Sequence, residues 1–178
     1  MIDFWLRQAR KPHSRFARLA VLIGGAIAFW LVTPVVLVAL GTLLDMWLGL
    51  PVFSSPLWMG VGVLVAALGF SLGAWVAYLH YRRGRGTPSP FVPTQALLVD
   101  GPYARSRNPM YLGVLAYYFG VALGVGSPSM VGMVLLITLA VHVHIVAVEE
   151  RELEARFGEA YREYKRRVPR WLPRWKRG

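Results

Sequence analysis

The chain has 178 residues, 56% of them hydrophobic, with a mean hydropathy of +0.45 and a formal net charge of +11. Such hydropathy is well above that of a soluble domain, and the basic residues sit only between long apolar runs, which argues against nucleic acid and points to anionic lipid headgroups as the partner of the charge. There is no cysteine, so disulfides, thiol nucleophiles and cysteine-ligated metals are excluded, and the four histidines are the only strong metal-ligand candidates.

Residues 1–18 carry Arg7, Arg10, Lys11, Arg15 and Arg18 among Phe4, Trp5, Leu6 and Phe16. That mixture suits a short helix on a membrane surface or a plain basic flank equally well. From Leu19 to Leu44 the sequence is apolar and uncharged, more than enough to cross about 30 Å of hydrocarbon at about 1.5 Å per residue. It is too long for a signal-peptide core and lacks a small-residue cleavage site, so it is read as a first span of the mature protein. Pro34 predicts a kink there, tolerable if neighbouring helices or Thr33 cover the freed carbonyl. Asp45 and the stretch Pro51 to Pro56 predict a short loop. The second span, about 57–81, places Gly62, Ala66, Gly69 and Gly73 on one side, which implies a close helix neighbour.

Residues 82–108 form the longest polar segment, with Arg82, Arg83 and Arg85, then Pro88, Pro90 and Pro93. Phe91, Val92, Leu97, Leu98 and Val99 give it apolar surface, so it is expected to be an ordered cap. It ends in Gly101-Pro-Tyr-Ala-Arg-Ser-Arg-Asn-Pro-Met-Tyr-Leu-Gly113, a polar loop turning into a helix. Asn108 suits an N-cap and Pro109 the first helical position. Free N–H groups beside Arg105 and Arg107 would favour an anionic group such as a carboxylate; alternatively, Asn-Pro only starts a helix and the arginines only mark the cytoplasmic side.

The third span, from Pro109 to near Gly126, repeats in Gly113, Gly120 and Gly124 the spacing of Gly62, Gly69 and Gly73, so the second and third helices are expected to face each other. Gly126-Ser127-Pro128-Ser129 predicts a tight reversal into an antiparallel fourth span at about 130–148. Beyond Glu149 an amphipathic helix is expected, with Leu153, Phe157, Tyr161, Tyr164 and Val168 on one side and the pairs Glu152 with Arg156 and Glu163 with Arg167 on the other. Gly158 is a candidate break. The tail places Trp171 and Trp175 among basic residues, as an interfacial anchor would. Five of the Lys and Arg residues precede the first span, five lie between the second and third, and ten follow the fourth. Both termini, the Gly101 junction and Glu149-Glu150 are therefore placed on the cytoplasmic side. The expected fold is all-α, a single integral-membrane domain over 1–178 of four transmembrane helices, with a cytoplasmic capping loop at 82–108 and a C-terminal amphipathic helix and tail at 149–178.

Two polar constellations thus share a membrane face. At regular helical spacing Thr138, His142, Ile145 and Glu149 lie along one side. His142 is either hydrogen-bonded to a neighbouring helix or functional, and it cannot chelate a metal with His144 two residues on, so no metal is expected. Glu149 and Glu150 read either as a solvated helix start or as ligands, and Tyr103, Tyr111, Tyr117 and Tyr118 as packing aromatics.

Taken together, Gly101-Pro-Tyr, Arg107-Asn-Pro-Met-Tyr-Leu-Gly113 and Glu149-Glu150 with Leu153, Phe157-Gly158, Tyr161, Tyr164, Val168-Pro169 and Pro173 resemble the isoprenylcysteine carboxyl methyltransferase and phospholipid methyltransferase superfamily, in order and spacing from about Gln95 to Pro173. The resemblance implies an integral-membrane methyltransferase that uses S-adenosylmethionine without a Rossmann domain and acts on a lipophilic acceptor from the membrane. It places Gln95, Leu97, Leu98, Tyr103, Asn108, Pro109, Met110, Tyr111 and Glu149 around the cofactor, and Arg107, Tyr111 and Glu150 at the reacting centre. Two positions depart from the family pattern: Asn108 stands where histidine is common, and Ile145 where the prenylcysteine enzymes place an arginine for a substrate carboxylate. A bacterial or archaeal cytoplasmic membrane is the expected location. The competing expectation is a non-catalytic four-helix scaffold or small-solute carrier.

Overall fold

The computed structural model describes residues 14–53, 55–84 and 94–172. Helix α1 (Arg15–Ile27) begins where the Ser14 hydroxyl accepts the Ala17 N–H at 3.1 Å. A π turn (Ala28–Val32) leads into α2 (Thr33–Leu48), and α3 is Pro56–Arg82. After a 3₁₀ turn (Gly101–Ala104) come α4 (Pro109–Val125) and α5 (Pro128–His144). A second π turn (Ile145–Glu149) precedes α6 (Glu150–Phe157) and α7 (Glu159–Arg167), separated by Gly158 at φ +56°. No strand occurs among the described residues, so the fold is all-α.

Three continuous helices, Phe16–Leu48, Pro56–Arg82 and Pro128–Phe157, are apolar over 33, 27 and 30 residues, and α4 over 17, the lower limit for a span. Their large side chains face outward: Trp47 is 81% exposed and Leu57 70%. Such a surface suits hydrocarbon and not water, and the chain is an integral membrane protein. The expectations for residues 1–13, for the prolines with Phe91 and Val92 in 85–93, and for Pro173 and Trp175 lie outside the described residues.

The chain divides into two compact units. The apolar unit is Gly25–Gly73 with Tyr111–Val143. Its core gathers Leu37, Tyr118, Ala122, Met130 and Val134. The glycine spacing is used as expected: a Cβ on Gly69 would stand 2.5 Å from the Tyr117 nitrogen and 2.6 Å from the Gly113 oxygen, and one on Gly62 2.4 Å from the Gly124 nitrogen. Backbones of α3 and α4 meet there with no room for side chains.

Pro34 cannot bond the Trp30 carbonyl, and the π turn has the Thr33 N–H reach back to Ala28, which leaves Phe29 free as well. Two consecutive tyrosines of α4 take these groups. The Tyr117 hydroxyl donates to the Trp30 oxygen at 3.1 Å, and that of Tyr118 to the Phe29 oxygen at 2.8 Å. Trp30 itself packs edge-on to Tyr117 and Phe70.

Asp45 does not lie in a loop. It sits inside α2, 2% exposed, because the start of α5 satisfies it: the Ser127 hydroxyl donates to one carboxylate oxygen and the Ser129 N–H to the other at 2.9 Å. The helix therefore continues to Leu48, past the expected end of the first span.

Candidate functional site

The polar unit comprises Ala74–Met110 and His144–Gly178 with the residues up to Gly24. Its elements are the ends of helices, so its side chains meet where backbone N–H and C=O groups also need partners. The described part of the long loop is tied at its start. The Gln95 N–H donates to the Gly84 oxygen at 2.8 Å, and the Arg156 guanidinium, paired with Glu152 at 3.3 Å, donates to the Thr94 carbonyl. Gly101, at φ +61°, turns the chain into the 3₁₀ segment, a conformation that favours glycine.

Tyr103 lies in that segment. His80, near the end of α3, is 2.5 Å from its hydroxyl, and the Tyr164 hydroxyl donates to its carbonyl at 2.7 Å. Tyr161 and Tyr164 are buried on the inner side of α7. Burial pushes the Tyr161 phenol up to about 12, and that of Tyr164 still higher, so both are neutral donors at any ordinary pH.

Glu150 is the centre of charge. It is 6% exposed and its carboxylate is held by Arg107 at 2.8 Å, by Arg170 at 2.7 and 3.3 Å, and by Lys165 at 3.7 Å; Lys165 also meets Glu154 at 2.6 Å. Donation to Glu150 holds the Arg170 guanidinium above its already high ordinary pKa. Arg107, expected at the reacting centre and as an attractor of anions, has its charge matched by Glu150, and both side chains are buried. An isolated charge could not be retained there; a charge paired and hydrogen-bonded can.

Asn108 is 7% exposed, and its side-chain nitrogen donates to the Arg170 carbonyl at 3.0 Å, while its own N–H is accepted by the Ser106 hydroxyl at 3.2 Å. Pro109 is fully buried, Met110, Leu97, Leu98 and Glu149 are half-buried, and Gln95 is exposed. Of the residues expected around a cofactor, Gln95, Leu97, Leu98, Tyr103, Asn108, Pro109, Met110 and Glu149 belong to this one unit, as do Arg107 and Glu150; Tyr111, in the first turn of α4, belongs to the apolar unit.

One sequence reading changes here. The π turn at Ile145–Glu149 inserts a residue of phase, so faces read at regular spacing from Thr138 and His142 do not carry through to Glu149. Ile145 is 1% exposed, and this buried apolar position holds no guanidinium. Sequence reasoning missed His80, Ser106 and Arg170. Arg170 carries in the sequence only the signal of tail charge, and His80 only that of one histidine among four; Ser106 stands in the quoted motif with no role.

Glu149 is a carboxylate beside an internally paired cluster, and the start of α4 presents backbone N–H groups after a buried Pro109. No group of three or more histidine, aspartate or glutamate side chains fit to hold a metal occurs among the described residues.

A sequence profile described as phospholipid methyltransferase matches residues 57–160. The chain is also 37% identical over 75 residues to methanethiol S-methyltransferase 2 of Bradyrhizobium diazoefficiens, covering 40% of this chain and 27% of that protein. It is 39% identical over 64 residues to an uncharacterized protein of Haemophilus influenzae, covering 35% of this chain and all of that protein.

Proposed function

The chain belongs to the phospholipid methyltransferase family, and from that premise we propose that it is an S-adenosylmethionine-dependent methyltransferase acting on a lipophilic acceptor delivered by the membrane. The observation that carries this reading is the gathering of the loop 94–108 with the first residues of α4, and of Glu149, from two distant parts of the sequence, into one compact unit. The named relative, a methyltransferase of a small thiol, supports the reaction class over the stretch it shares.

When bound, S-adenosylmethionine supplies a sulfonium methyl group for in-line displacement: the carbon–sulfur bond breaks as the acceptor heteroatom bonds to carbon, the thioether product leaves, and any proton on the heteroatom goes to solvent. The chain's own residues have the task of alignment and exclusion of water. Glu149 takes the ammonium of the amino-acid end, and the N–H groups at the start of α4 take its carboxylate. Tyr103 offers a ring face to the sulfonium. Leu97, Leu98 and Met110 cover apolar surface, with Gln95 and Asn108 at the polar rim. Arg107, whose guanidinium donates to Glu150, stands beside this site.

The acceptor class follows from Ile145. A buried isoleucine cannot anchor a carboxylate, so a neutral thiol or a lipid amine fits this chain better than a prenylcysteine acid. Two cytoplasmic termini and contact of the basic segments with anionic headgroups complete the reading.

Calorimetric titration of the detergent-purified chain with S-adenosylmethionine and S-adenosylhomocysteine tests it. Saturable binding is expected for both, weakened at least tenfold for S-adenosylmethionine by Glu149→Ala. An absence of binding at millimolar concentration would overturn it. Transfer of labelled methyl to methanethiol against phosphatidylethanolamine vesicles then separates the two acceptor classes.

A further inference from the structure

The polar unit is closed by a segment of which the motif residues marked Val168 and Pro169 but not Arg170. Val168–Arg170 follows α7, with Val168 in extended conformation, and it lies along the three residues that precede Pro109. The Arg107 N–H donates to the Pro169 oxygen at 2.9 Å. The Ser106 hydroxyl and the Asn108 amide both donate to the Arg170 oxygen, at 3.2 and 3.0 Å. The Arg170 side chain turns to Glu150, with its Nε 2.7 Å from Oε1 and an Nη 3.3 Å from Oε2, while Arg107 reaches the same Oε1 at 2.8 Å. One residue thus grips the loop through its backbone and the end of the π turn through its side chain.

We propose that Arg170 is a positioning residue for the methyl donor, acting through Glu150 and Asn108. This rests on the donor reading above. Tyr103, Asn108 and Glu149, three residues assigned to the donor, are each one contact from this strap or from α7: Tyr103 through the Tyr164 hydroxyl, Asn108 through its amide, and Glu149 through its covalent neighbour Glu150. The fork of an arginine is required. A guanidinium can hold both carboxylate oxygens in a fixed plane, whereas an ammonium is a point charge without that direction. The asparagine is explained too, because a side-chain N–H donor at position 108 is what the Arg170 carbonyl needs. Arg107 and Glu150 become the middle of a clamp and not reacting groups.

The test uses the full chain in detergent with S-adenosylhomocysteine as probe. Calorimetry is run on the wild type, Arg170→Ala, Arg170→Lys and the exposed control Arg162→Ala, with amide hydrogen exchange over residues 101–110 measured without ligand. Arg170→Ala is expected to weaken the probe by about 10- to 100-fold, the scale of a charged hydrogen bond lost from a buried partner, and to speed exchange at Arg107 and Asn108. Arg170→Lys should fall between, and Arg162→Ala should match the wild type. With saturating donor, kcat should stay within about twofold, since the chemistry is untouched.

Wild-type affinity in Arg170→Ala overturns the proposal, and so does weakened binding with unchanged exchange over 101–110, because the strap would then not act by ordering the junction. If Arg170→Ala fails to fold, Arg170→Lys decides by the same two readouts. If the wild type itself fails to bind, the donor reading falls; unchanged exchange in Arg170→Ala would separately refute the ordering role.

Discussion

Two carboxylates are buried in this chain, and they are satisfied in opposite ways. Asp45, in the apolar unit, is held by neutral donors, a serine hydroxyl and a backbone N–H at the start of α5. Glu150, in the polar unit, is held by two guanidinium groups and an ammonium that arrive from different segments. The first joins two elements only: it caps one helix and fixes a reversal. The second is a crossing point where the loop before α4, the start of α6 and the strap after α7 all end. A neutral cap fixes an angle between two elements, while a shared ion fixes several at once. Removing the first should cost stability alone, and removing the second should cost stability and donor affinity together.

The comparison breaks most visibly at Glu150. Glu150→Ala leaves buried cations without a counter-charge, and a loss of about 3–5 kcal/mol is expected, with a large fall in Tm and no measurable donor binding by calorimetry. Asp45→Ala should cost less, about 1–3 kcal/mol, because it leaves a hydroxyl and an N–H unpaired and no charge uncompensated. Its donor affinity should equal that of the wild type; a tenfold loss there would erase the distinction between the two carboxylates. Tyr118→Phe removes the donor to the Phe29 carbonyl, worth about 0.6 kcal/mol by analogy with other hydrogen bonds between membrane helices, and should lower Tm slightly with no effect on the donor. The exposed pair of Glu163 with Arg167, at 3.2 Å, sets the floor: Glu163→Ala should change stability by about 0–1 kcal/mol, and a larger loss would show that α7 depends on its outer face.

The apolar unit was the more legible of the two. Glycine spacing in the second and third spans announced a close approach, and the Gly69 to Tyr117 contact is that approach. Helical periodicity carries such information because each face is defined by residues a few positions apart. The same logic failed at Asp45, whose partners lie more than eighty positions away, and at Ile145–Glu149, where a π turn breaks the period on which the face assignment rested. In the polar unit, the motif residues Tyr103, Arg107, Asn108, Glu149 and Glu150 were visible as a set, but their pairings were not. That Arg107 faces Glu150, and that Asn108 donates to a backbone carbonyl sixty-two positions on, depends on chain paths that no local spacing encodes. Arg170 was invisible for the plainest reason, since one arginine in a basic tail looks like the next.

The contacts of the strap also set an order of events during synthesis. Ser106 and Asn108 are made more than sixty residues before the carbonyl of Arg170 that receives them, and α4 and α5 are both translated in the interval. The hairpin can therefore enter the membrane and pack while the loop before it still lacks its partners, because its own contacts are near in sequence and close at small entropic cost. The junction is finished last, when the segment after α7 reaches Glu150. A nascent chain that has completed its membrane helices is consequently a folded body with an unassembled site, and premature termination within α7 would yield a protein that inserts normally and binds nothing.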